Sequence, residues 1–123
     1  DNRTAGFRLA GHGSSIRIEC RVPGADVNPY LAFAVLIQAG LYGIENKLEL
    51  EDPLMGNIYQ NKKAKIVPGT LREAIDLAKK SKLLPKIFQA DVLEHYIHAA
   101  EWEQSEYDKS VNDWEHQRYF ERG

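Results

Sequence analysis

Arg17, Glu19 and Arg21 stand at alternate positions in Arg17-Ile18-Glu19-Cys20-Arg21, two guanidiniums flanking one carboxylate. Read as a strand, Ser15 to Val22 alternates throughout, with Ile16, Ile18, Cys20 and Val22 on one face and Arg17, Glu19 and Arg21 on the other. Neighbours on such a face are about 7 Å apart. Planar guanidinium forks at that spacing suit phosphate or carboxylate oxygens, which they grip two bonds at a time. Asn2-Arg3 and Arg8 lie just upstream and add two further cations. The alternative is a solvated strand face carrying ion pairs, and pairs of that kind contribute little to stability.

The elements that must hold these side chains can be read in order. Phe7-Arg8-Leu9 reads as a short strand, and Gly11-His12-Gly13-Ser14 supplies a turn into the second strand, so residues 1–22 form a β-hairpin. A glycine-rich turn can also cradle phosphate, but that requires a helix N-terminus directly after it, and a strand follows here. Asn28-Pro29 opens a helix, since the Asn side chain can accept from orphan amides and Pro at the first position sacrifices no hydrogen bond. Leu31, Phe33, Ala34, Val35, Leu36, Ile37, Ala39 and Leu41 leave this helix no polar face, so residues 28–44 require burial in a larger body. Gly40 and Gly43 would allow close contact or end it near Gly43. Residues 45–69 turn polar and read as a long exposed loop with Tyr59 in its middle. Residues 70–122 read as a helical tail. Thr70-Leu71-Arg72-Glu73 is a capping box for a helix that runs on to a break at Pro85, and Asp91-x-x-Glu94 repeats the signal for a longer one. Beyond Trp102 the pattern stays helix-compatible to about Tyr119.

Composition narrows the function classes. A net charge of -2 with no basic block excludes a nucleic-acid surface. The longest apolar run, within Tyr30 to Ile44, is interrupted by Gln38 and Gly40 and is too short to span a bilayer, so no membrane partner is expected. Cys20, the single cysteine, falls on the apolar strand face as a small hydrophobe, which fits a reducing, cytoplasmic home. His95 and His98, one turn apart beside Glu94 and Glu101, read as a polar helix face in the absence of a second copy of the motif. The chain begins without Met on charged, motif-like residues, which suggests a piece of something larger.

Taken together, Asn2-Arg3-Thr4, Arg8, Arg17-Ile18-Glu19-Cys20-Arg21, Gly24-Ala25-Asp26-Val27-Asn28-Pro29-Tyr30-Leu31-Ala32 and Ala39-Gly40-Leu41-x-Gly43-Ile44 resemble the C-terminal part of the glutamine synthetase family. Asp113-Trp114-Glu115 and Arg118-Tyr119-Phe120-Glu121-Arg122 are similar to the end of the branch that includes γ-glutamylpolyamine synthetases. The resemblance implies an α+β fold, a short antiparallel hairpin followed by a mainly helical part of the catalytic domain. It implies a ligase of nitrogen metabolism that joins the γ-carboxylate of glutamate to ammonia, or in some branches to an amine, through a γ-glutamyl phosphate made from ATP with Mg²⁺ or Mn²⁺. Matched by position, Glu19 is the metal ligand. Arg3 meets the transferring phosphoryl group, Arg8 and Arg17 lie near the nucleotide phosphates, and Arg21 holds glutamate, with Arg3 and Arg21 the catalytic arginines. Tyr59 resembles a tyrosine that some bacterial members adenylylate. The resemblance further implies a homo-oligomer, a dodecamer in the intact protein, and an isolated chain without ligase activity. A non-catalytic structural relative is the other class to weigh. The family's Ser-Ala-Ser-Ile is replaced here by Thr4-Ala5-Gly6-Phe7, which leaves the choice of ammonia or amine open.

Overall fold

The computed structural model describes residues 2–122. Two units divide the chain, one up to Val67 and one from Pro68 onward. The first holds an antiparallel hairpin and one long helix, and the second is wholly helical, so the α+β class expected from the sequence is what is found.

In the first unit, β1 (Phe7–Ala10) pairs with β2 (Arg17–Cys20), with Phe7 opposite Cys20, Arg8 opposite Glu19, Leu9 opposite Ile18 and Ala10 opposite Arg17. The regular strand is shorter than the alternation of residues 15–22 suggests, for a local reason. Ser15 is drawn into the turn, its hydroxyl donating to the His12 carbonyl at 2.8 Å and accepting from the His12 amide at 3.0 Å. Gly11 makes that turn possible: its φ is +92°, and a Cβ there would lie 2.2 Å from the Ser15 carbonyl oxygen. Gly11→Ala is therefore expected to unfold the hairpin turn at a cost of more than about 1 kcal/mol, seen as faster amide exchange at Ser15 and Ile16; unchanged exchange there would contradict it.

α1 (Pro29–Glu45) starts as its sequence dictates, with Asn28 Oδ1 accepting from the amides of Tyr30 at 3.0 Å and Leu31 at 3.4 Å. It does not end at Gly43. It runs two residues further, where Asn46 donates its side-chain amide to the Tyr42 carbonyl at 2.8 Å and Lys47 turns left-handed at φ 48°. No residue of α1 is buried, and a Cβ at Gly40 or Gly43 would meet nothing within 4 Å. Phe33 and Ile37 are 63% and 61% exposed, so the described residues do not supply the cover that an all-apolar helix requires. The loop from Asn46 onward has a short helical turn, Ile58–Gln60, started by Asn57 accepting from the Tyr59 amide at 3.1 Å, and a further turn in which the Ala64 amide donates to the Asn61 carbonyl at 3.1 Å.

In the second unit, α2 (Leu71–Lys80) begins at Thr70, whose hydroxyl accepts from the Glu73 amide at 3.2 Å. The capping box is only half closed, because the Glu73 carboxylate takes the Gly69 amide at 2.8 Å rather than that of Thr70. α2 ends well before Pro85. Ser81 stops it by turning its hydroxyl to the amides of Leu83 and Leu84, which opens the short α3 (Leu84–Ile87) with Pro85 in its first turn, where proline is tolerated. α4 (Ala90–Lys109) and α5 (Asp113–Tyr119) are separate, because Asn112 and Glu115 form a reciprocal capping box at 3.1 and 3.2 Å. α2 packs on α4 around Ile75; with Ala10 it is one of two buried apolar residues among those described, at 8% and 6% exposed.

Candidate active site

Hairpin register builds the site. Directly opposed residues of an antiparallel pair share a face, as do residues two apart on one strand. Arg8, Glu19 and Arg21 are therefore neighbours on one surface. Arg8 Nη2 donates to Glu19 Oε2 at 2.8 Å, and Arg21 Nη1 donates to Glu19 Oε1 at 2.8 Å, so each carboxylate oxygen has its own guanidinium. The Arg21 amide donates to the Gly6 carbonyl at 2.7 Å, which carries the ladder one step past β2 and fixes the backbone from which that side chain projects. Arg8 is the enclosed member, its side chain 11% exposed, whereas that of Arg21 is 38% exposed.

Spacing alone makes Arg17 an equal partner of Arg21, and the structure does not. Arg17 sits across from Ala10, and its Nη1 donates to the Ser15 carbonyl at 3.3 Å. Arg8 takes the second place beside Glu19 instead. Arg3 stands in the turn before β1, exposed, and its guanidinium makes no hydrogen bond or ion pair with the described residues. Tyr59, 83% exposed, lies on the loop turn at Ile58–Gln60. The site thus brings Arg8, Glu19 and Arg21 together and leaves Arg3, Arg17 and Tyr59 outside that hydrogen-bonded cluster.

Hydrogen bonds from Arg8 and then Arg21 hold the Glu19 carboxyl far below its ordinary value of 4.5, at about 2. A folded pKa below the unfolded one means that the pairing is at full strength above about pH 4.5 and is lost as pH falls through about 2. A carbon-detected NMR titration of the Glu19 carboxyl should show a midpoint near 2, shifting up toward 4.5 in Arg8→Ala. A wild-type midpoint above 4 would remove the pairing.

A carboxylate ionised at neutral pH is a hard oxygen donor of the sort Mg²⁺ and Mn²⁺ accept. Glu19 fits as one ligand of such an ion, but no group of three or more His, Cys, Asp or Glu side chains able to hold a metal exists among the described residues. His95 sets its ring edge against Tyr96 at 5.5 Å. No described helix is long and apolar enough to cross a membrane.

One contact set had no sequence signal at all. Asn2 Nδ2 donates to the carbonyls of Gly56 at 2.8 Å and Leu54 at 3.3 Å, and the Ile58 amide donates to Thr4 Oγ1 at 2.9 Å. The residues on either side of Arg3 are thereby tied to the loop that carries Tyr59. In the second unit, a cavity of about 270 Å³ between α2 and α4 is lined by charge. Its cations are already engaged, Arg72 with Asp108 at 2.8 Å and Lys79 with Glu101. Arg72, with Gln104, also holds the Asp108 carboxyl below the usual range. This cluster ties two helices together and leaves no cation free for an anion.

Comparison with known proteins gives a consistent result along the chain. The glutamine synthetase catalytic domain matches residues 1–119. Over 122 residues, 99% of this chain, the sequence is 51% identical to a γ-glutamylethanolamide synthetase of Streptomyces coelicolor, covering 26% of that protein. It is 41% identical to a glutamate–isopropylamine ligase of a Pseudomonas species, over 98% of this chain and 27% of that one. It is 40% identical to a glutamine synthetase of Thermus thermophilus, over 96% and 28%. The chain spans about a quarter of the length of these curated relatives.

Proposed function

The chain belongs to the glutamine synthetase catalytic-domain family, and from that premise we propose that it supplies one wall of the active site of an ATP-dependent ligase joining the γ-carboxylate of glutamate to a small primary amine. The observation that carries this reading is the Arg8–Glu19–Arg21 cluster, an ionised carboxylate between two guanidiniums on one face of the hairpin. One comparison favours an amine over ammonia: the γ-glutamylethanolamide synthetase shares 51% of residues with this chain, against 40% for the Thermus glutamine synthetase.

In the proposed reaction an oxygen of the glutamate γ-carboxylate attacks the γ-phosphorus of ATP and ADP leaves. The amine nitrogen then attacks the γ-carbonyl carbon of the acyl phosphate, inorganic phosphate departs, and the nitrogen loses its proton as the amide forms. Both steps concentrate negative charge on phosphoryl oxygens, so positioning and neutralisation do most of the catalytic work. When bound, Mg²⁺ or Mn²⁺ would neutralise part of that charge. Glu19 would give such an ion one oxygen. Arg8, the enclosed cation, orients Glu19 and adds positive potential at the nucleotide phosphates. Arg21, more open and fixed through its backbone, has guanidinium hydrogens left for a glutamate carboxylate. Arg3, exposed and without a protein partner among the described residues, is available to the transferring phosphoryl group, and Arg17 extends the positive edge along the hairpin.

The uncovered apolar faces of α1 support packing against other parts of a homo-oligomeric protein, a dodecamer of the family's kind. The unpaired Cys20 fits a cytoplasmic setting. An acceptor screen on the full-length protein, reading phosphate release with ATP, glutamate and either ethanolamine, isopropylamine or ammonia, tests the reading. The expected result is turnover with at least one amine at a kcat/KM above that for ammonia, and none from residues 1–123 alone. Preference for ammonia would return the protein to glutamine synthesis, and no turnover with any acceptor would favour a non-catalytic structural role.

A further inference from the structure

We infer that Asn2 and Thr4 are positioning residues that hold Arg3 for the phosphoryl transfer by fastening its turn to the loop at 54–58. This rests on the proposed function, specifically on Arg3 as the group that meets the phosphoryl.

Hydrogen-bond chemistry makes the fastening specific. Asn2 Oδ1 accepts from the Thr4 amide at 3.0 Å and from the Thr4 hydroxyl at 2.7 Å. The Thr4 amide can only donate, so the oxygen of the Asn2 side chain must face it and the nitrogen must face the Leu54 and Gly56 carbonyls. The Thr4 hydroxyl, having donated to Asn2, accepts from the Ile58 amide at 2.9 Å. Each polar atom of the two side chains is used in a sense that reversal would break. Gly56 adopts φ +76° beside these contacts, and the Ala5 amide closes the turn on the Asn2 carbonyl at 3.3 Å. Arg3 is the residue between the two anchors, so its Cα is held while its guanidinium remains exposed.

These bonds join residues 52 to 54 positions apart. Without them the turn that carries Arg3 ahead of β1 would lose its ties to the loop and could move by more than the ångström that can cost a reaction about a hundredfold. A role confined to loop stability would use the same contacts, so the test must separate the two.

The full-length protein is assayed with ATP, glutamate and its best acceptor, as wild type, Thr4→Val, Thr4→Ser, Asn2→Asp and Arg3→Ala, with amide exchange at Ile58 followed in parallel. Thr4→Val removes the acceptor at nearly constant volume. It should expose the Ile58 amide to exchange and lower kcat about tenfold or more, with KM for ATP and glutamate within about twofold. Thr4→Ser should restore both readouts. Asn2→Asp sets a carboxylate oxygen against two carbonyls and should lower kcat at least as far; it carries the test should Thr4→Val not fold. If Thr4→Val frees Ile58 yet keeps full kcat while Arg3→Ala is inactive, the positioning role is overturned and the proposed function stands. If Thr4→Ser loses as much kcat as Thr4→Val, the hydroxyl is not the agent and the inference also falls. Full activity in Arg3→Ala would overturn the role of Arg3 itself, and the positioning role with it.

Discussion

Glu19→Gln in the full-length protein is expected to lower phosphate release with glutamate and amine by about a hundredfold or more, the range seen when one preorganised polar group is removed from a charged transition state. The substitution keeps the shape of the side chain and changes two things. The charge that suits a divalent ion is gone. One of the two 2.8 Å bonds, from Arg8 or from Arg21, also becomes a contact between two donors, since Gln offers only one acceptor atom. Glu19→Asp separates these effects, because it keeps the charge and shortens the reach by one carbon. It should fall between wild type and Gln, and raising Mg²⁺ should recover part of its rate and little of the Gln variant's. A Gln variant within about threefold of wild type would leave Glu19 as an ordinary surface ion pair, the solvated-face alternative that its sequence also allows.

For Arg21→Lys the expected loss lies in substrate binding. Lysine keeps the charge but presents it as a point, without the planar fork that engages a carboxylate by two parallel bonds. A hydrogen bond to a charged group contributes about 1.5–3 kcal/mol, so KM for glutamate should rise by roughly ten- to a hundredfold, with KM for ATP nearly unchanged. If Arg21 served only to hold Glu19, the pattern would invert: kcat and the Mg²⁺ requirement would move and KM for glutamate would not. Steady-state kinetics with each substrate varied in turn distinguishes the two outcomes.

The hairpin and the start of α1 were legible because each has a short-range cause, a period of two in one case and Asn28-Pro29 in the other. The family was legible because several charged motifs occur in one order. What could not be read depends on partners distant in sequence or on competing local bonds. Spacing placed Arg17 and Arg21 on the face of Glu19, but only the register fixed by the Gly11 turn decides that Arg8 is the second partner. Helix ends fall where a side chain outcompetes the obvious breaker: at Asn46 rather than Gly43, and at Ser81 ahead of Pro85. Asn112-x-x-Glu115 carried a readable capping signal that continuous helix compatibility concealed. The tie between Thr4 and Ile58 has no periodicity of any kind, and nothing near either residue announces it.

The double grip on Glu19 also bears on when conformational freedom is lost. A free arginine side chain has about 2 kcal/mol of rotamer entropy to lose on being fixed. In this hairpin Arg8 and Arg21 are already bonded to the carboxylate, so much of that ordering takes place as the hairpin forms and not when a ligand arrives. Guanidiniums already bonded in this way have less ordering left to lose should an anion meet them, and more of each electrostatic contact would then appear as affinity.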